Sequence, residues 1–87
     1  MQSGTHDPVD LEHIDPAHNM ARFYQLSVQP TLFGEQSVVR CWGRIGTRGR
    51  SMMVTYATEG DAVKACMALV RSKVAKGYLC LSAAGEP

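Results

Sequence analysis

With 87 residues, the chain has material for one small core, since a domain of this size buries only about 60 to 65% of the surface its unfolded chain exposes. Its hydrophobic fraction of 45% and charged fraction of 20% exclude disorder throughout, and its apolar runs fall well short of a bilayer span. The formal net charge of +1 hides an asymmetry, because residues 1–20 carry four acids and no Lys or Arg, whereas residues 21–87 carry nine cations against four acids.

Residues 1–8 are polar and are expected to be flexible. They show neither a basic n-region nor an apolar h-region, so no secretory signal is expected and the setting is read as cytoplasmic. The alternation Val9-Asp10-Leu11-Glu12 predicts an edge strand that ends at the turn signal Asp15-Pro16. Residues 22–29 alternate more clearly, with Tyr24, Leu26 and Val28 on one face and Phe23, Gln25 and Ser27 on the other. Pro30 ends that strand. Residues 31–35 then read as a loop whose Leu32 and Phe33 tuck under the sheet.

Residues 36–45 and 50–57 are rich in β-branched and bulky side chains. They predict an antiparallel hairpin turned by Gly46-Thr47-Arg48-Gly49, where glycine permits positive φ. Thr58 suits an N-cap, with Asp61 at N3. Beyond it, Val63, Cys66, Met67, Val70 and Val74 mark one helical face, with Lys64 and Arg71 on the far side. Lys73 and Lys76 favour the helix C-terminus, and Gly77 supplies the residue after it. Residues 78–81 return to the sheet, and residues 82–87 form a flexible tail. The expected fold is α+β, a small antiparallel sheet of three to four strands with one helix packed on one face.

Residues 40–50 stand apart. They hold the only tryptophan, Trp42, and four of the nine cations, Arg40, Arg44, Arg48 and Arg50, with no acid among them. In an extended strand Val39 and Cys41 point one way while Arg40, Trp42 and Arg44 point the other. If Val39 and Cys41 meet the helix, the second set forms a cation–aromatic–cation stripe on the open face. Arginines engage phosphate by charge and paired hydrogen bonds, and an exposed indole is a stacking platform for a base or sugar. Two other readings stand beside this one. Trp42 could instead fill the core with an arginine stacked on its ring, and the same residue types also serve as hot spots for a protein partner.

Other chemistries find little support. Cys41, Cys66 and Cys80 show no CxxC or CxxH spacing and sit in apolar stretches, which favours reduced core thiols over a metal site. The glycines at 43, 46 and 49 lack the Lys-Ser/Thr and strand-to-helix context of a phosphate loop. No serine lies in a nucleophile elbow, and all three histidines precede residue 20. Neither a catalytic activity nor a cofactor or metal is expected.

The succession Asn19-Met20, Arg22-Phe23-Tyr24 and Leu26, then Val28-Gln29-Pro30 and Leu32-Phe33-Gly34, then Val38-Val39-Arg40, Trp42-Gly43-Arg44-Ile45-Gly46 and Gly49 resembles the stand-alone bacterial WGR proteins over residues 9–81. The resemblance implies an antiparallel sheet with a helix on one side. It also implies DNA as a partner, contacted at ends or nicks through backbone and sugar. In the related poly(ADP-ribose) polymerases the motif tryptophan packs on a sugar near a 5′ terminus, a role that would fall to Trp42. Arg44 would meet phosphate or another protein surface, and Asn19 and Tyr78 occupy places from which the family touches DNA. The chain has none of the polymerases' catalytic, helical or zinc-finger domains, so ADP-ribosyl transfer is not implied.

Overall fold

Alternation along the chain becomes five strands: β1 (Val9–Asp15), β2 (Met20–Pro30), β3 (Gln36–Arg44), β4 (Arg50–Tyr56) and β5 (Leu79–Cys80), with helix α1 (Glu59–Ala75) between the last two. The structure is a computed structural model that describes residues 8–81. The flexible ends expected at residues 1–8 and 82–87 lie outside these residues, Pro8 excepted. The strands form one antiparallel sheet in the order β4-β3-β2-β1-β5, and the fold is α+β as expected. The strand beyond the expected three to four is β5, a two-residue return that pairs with Leu11 and Glu12 and covers part of β1.

Local chemistry sets the turns. The Thr31 hydroxyl accepts from the amides of Phe33 at 3.1 Å and Glu35 at 3.2 Å, closing the β2–β3 turn. That closure leaves Leu32 and Phe33 at its tip, 96% and 85% exposed, so they do not tuck under the sheet. At the β3–β4 turn, Gly43 and Gly49 lie against each other. A Cβ on Gly43 would stand 2.7 Å from the Gly49 Cα, and one on Gly49 would stand 2.3 Å from the Trp42 carbonyl oxygen and 2.8 Å from the Phe23 ring. Gly49 also has φ of +72°. The glycine beside Trp42 is therefore demanded by the protein's own backbone, whatever approaches from outside.

The Thr58 side chain caps α1 by accepting from the Asp61 amide at 3.1 Å. At the other end Gly77 takes φ of +106° after the last turn. The buried helical residues are Ala62 and Cys66, with Ala65, Leu69 and Val70 packed against the core. This stripe differs from the expected one. Met67 and Val74 are 54% and 49% exposed, because the two alanines let the helix settle closely on a neighbouring face. Of the cysteines, Cys66 is buried, Cys41 half-buried and Cys80 exposed. Cys80 therefore departs from the expectation of core thiols, lying on the short outer strand.

Leu11, Tyr24, Leu26, Val28 and Val38 form the sheet's share of the core. Register decides what lies with them: Val28 faces Val38, Leu26 faces Arg40, Tyr24 faces Trp42 and Arg22 faces Arg44. Directly opposed residues share a face of the sheet. Arg40, Trp42 and Arg44 thus lie on the side that carries α1, and Val39 and Cys41 on the other, which reverses the expected assignment. No bulge at Gly43 causes it, since the β2–β3 pairing runs unbroken through Phe23 and Gly43. The helix covers the more apolar face, the one bearing Leu26 and Val28, and Trp42 shares it.

Candidate functional site

Trp42 is half-buried and packs on the edge of the core. Its ring lies 6.3 Å from that of Tyr24, centroid to centroid, with the planes tilted by 35°. The Arg40 guanidinium sits 5.6 Å from the Trp42 ring centre. It also donates to the Tyr24 hydroxyl at 3.2 Å and to the Met52 sulfur at 3.0 Å. One part of the indole is therefore core, stacked by arginine, and the rest meets solvent.

The helix runs back from the β4 end of the sheet and finishes over Tyr24. There the Lys73 ammonium lies 4.5 Å from the Tyr24 ring centre and 5.5 Å from that of Tyr78. A cleft of about 310 Å³ is lined by Arg22, Tyr24, Trp42, Gly43, Arg44, Lys73 and Tyr78. Its floor is aromatic and its rim is cationic. No acid among the described residues lines it. A second hollow of about 170 Å³, between Tyr24, Arg40, Trp42, Met52 and Lys73, adjoins it.

Arg44 is exposed but held. It donates to the Asn19 carbonyl at 3.2 Å and to the Asn19 side-chain oxygen at 3.4 Å. Asn19 can present both oxygens because it adopts φ of +52° after the short 3₁₀ turn Pro16–His18. Asparagine tolerates that left-handed conformation better than most residues. Two of the five guanidinium N–H donors are thus engaged.

Of the residues singled out from sequence, Trp42, Arg44 and Tyr78 line the cleft directly. Arg40 reaches its adjoining hollow. Asn19 does not line the cleft but accepts two hydrogen bonds from Arg44. Tyr78 is buried, edge-on to Tyr24 at 6.3 Å and to His13 at 5.3 Å, so it belongs to the floor more than to the rim. Arg48 lies exposed in the turn, and Arg50 stands opposite Trp42 at the start of β4 on the same face. Neither lines the cleft.

Two cations escaped the sequence reading. Arg22 shares its parity with Tyr24, Leu26 and Val28, and so joins their face. Lys73 follows Ala62, Cys66, Leu69 and Val70 on the stripe that faces the sheet. Both signals were present in the spacing. Burial pushes the Lys73 pKa below the usual lysine range, with the charges of Lys76, Arg40 and Arg22 adding to the effect. A lysine held among other cations is a place where a polyanion gains binding energy.

Among known proteins, the family model described as WGR domain matches residues 8–84. A curated relative from Sinorhizobium fredii (strain NBRC 101917 / NGR234), "Uncharacterized protein y4dW", is 46% identical over 68 residues, which is 78% of this chain and 33% of that protein. The chain thus spans about a third of that relative's length. No solved structure matches the chain. Among the described residues, no helix is long and apolar enough to cross a membrane.

Proposed function

Since the chain belongs to the WGR-domain family, a non-catalytic module that binds nucleic acid in poly(ADP-ribose) polymerases, we propose that it binds DNA ends or nicks through the cleft beyond α1. The carrying observation is the convergence of Trp42 and Tyr24 with Arg22, Arg44 and Lys73, from three separate elements, around a cleft that no acid among the described residues lines. The open part of the Trp42 ring packs on a terminal sugar or base. Arg44, oriented by Asn19, and the Arg22 and Lys73 side chains take the phosphates that follow. Arg48 and Arg50 extend the positive rim along the duplex. Contacts of this kind read backbone and sugar, and no recognition helix is offered to a groove, so sequence preference is weak. The protein works in the cytoplasm on this reading.

The test is a titration against blunt, nicked and single-stranded DNA, with the single tryptophan as fluorescent reporter. Affinity should fall steeply with salt, because each neutralised phosphate releases counterions. Trp42→Ala should cost roughly 5- to 150-fold, as stacking on an aromatic ring is worth about 1–3 kcal/mol. Binding that is absent, or indifferent to salt and to both Trp42→Ala and Arg44→Ala, would overturn the proposal. A partner retained after nuclease treatment and lost in Trp42→Ala would point to a protein surface in its place.

A further inference from the structure

The sheet has two unequal edges. On the β1 side the outermost strand is β5, two residues long. On the other, β4 runs seven residues, Arg50-Ser-Met-Met-Val-Thr-Tyr56, and no strand among the described residues pairs with its outer side. Edge strands are usually kept from pairing by charge, proline, bulges or shortness. β4 has none of these over residues 51–55. Met52, Met53 and Val54 are 46%, 64% and 42% exposed. Such an edge is a template for one more strand.

We propose that β4 pairs antiparallel with β4 of a second copy of this chain, about a twofold axis through Met53. The strand's own sequence is complementary to itself in this register. Met53 faces Met53, Met52 faces Val54, Ser51 faces Thr55 and Arg50 faces Tyr56, so all seven residues are paired. The single charge of the strand meets an aromatic ring, away from its own copy. Moving the axis to Met52 or Val54 leaves five of the seven residues paired. Apolar surface lies on both faces of the edge. Val39 stands beside Met53 on the open face, and a mainly apolar groove of about 320 Å³ on the other runs between β4 and α1, walled by Val54, Tyr56, Ala65, Ala68 and Leu69, with Arg40 as its one charged residue. The second copy lays its Met52 and Val54 along that groove's outer side.

Antiparallel neighbours are related by an axis perpendicular to the sheet. The product is a ten-stranded sheet with both copies of α1 on one face and both clefts open to the same side. The pairing stands or falls independently of what the cleft binds.

Sedimentation velocity from micromolar to millimolar protein tests it, together with concentration-dependent hydrogen exchange of the β4 amides. Wild type should reach the mass of two chains, with β4 amides gaining protection as it does so. Met53→Lys sets two ammonium groups against each other across the axis, and should sediment as one chain with an unchanged circular dichroism spectrum. Met67→Lys, an exposed methionine on α1, should leave the dimer intact. One-chain mass for wild type up to millimolar concentration, a dimer that survives Met53→Lys, or a dimer whose β4 amides gain no protection each overturns the proposal. Should Met53→Lys fail to fold, the exchange pattern of wild type decides alone.

Discussion

Arg44 depends on a residue twenty-five positions away. Asn19 must stay left-handed to offer it two oxygens, and a residue with Cβ and no such polar group pays about 1 kcal/mol or more for that backbone. Asn19→Ala is therefore expected to lower unfolding free energy by about 1 kcal/mol and to weaken DNA binding. Asn19→Gly should keep the stability and still lose affinity, and chemical denaturation with a parallel DNA titration separates the two. Lys73 gives a prediction in pH. Its folded pKa lies below its unfolded one, so its protonation opposes folding at neutral pH, and that penalty fades as pH rises from the folded value through the unfolded one. Lys73→Gln should remove this pH dependence from the stability of the free protein and weaken DNA binding. Wild-type affinity should start to fall at a pH below the ordinary lysine range, whereas Lys73→Arg, which stays protonated, should hold its affinity there. Gly49→Ala, driven into the Trp42 carbonyl at positive φ, should cost about 2 kcal/mol or more by urea denaturation.

The elements follow local signals closely. Pro30, Thr31, Gly46 and Gly49, Thr58 and Gly77 each mark a boundary that the chain observes, because turn and cap chemistry acts within a few residues. What the strands do with their faces is another matter. Leu26, entirely buried, and Leu32, at the tip of the next turn, are the same residue type six positions apart. Leu26→Ala should cost about 2–5 kcal/mol, while Leu32→Ala should stay within about 0.5 kcal/mol; thermal denaturation of the pair tests that the core ends where β2 does. The helix makes the same point. Its start and stop are readable from Thr58 and Gly77, but of its expected stripe, Val63, Cys66, Met67, Val70 and Val74, only Cys66 and Val70 pack with the core, alongside Ala62, Ala65 and Leu69. Periodicity alone cannot rank two adjacent stripes when small residues on one of them allow a closer approach.

Across the whole molecule, the asymmetry of charge becomes an asymmetry of place. The cations of β2, β3 and α1 meet at one corner of the sheet, so the salt dependence of DNA binding should flatten by about one unit of slope for each of Arg22→Ala, Arg44→Ala and Lys73→Ala that removes a phosphate contact. An equal change at Arg71, exposed on the far side of α1, should leave the slope unaltered. By itself the sequence determined the α+β class, the order and approximate limits of the elements, the hairpin that carries Trp42 and Arg44, and the family, since alternation, caps, turn residues and motifs are written in neighbouring positions. Only the tertiary structure decided which face the helix covers, that Arg22 and Lys73 join the cleft, that Asn19 holds Arg44, and that Gly43 makes room for Gly49. The physical reason is common to all four. Strand alternation sorts side chains into two sets, but register across β2 and β3 and the docking of α1 determine which set is covered, and these depend on contacts between residues far apart in the chain.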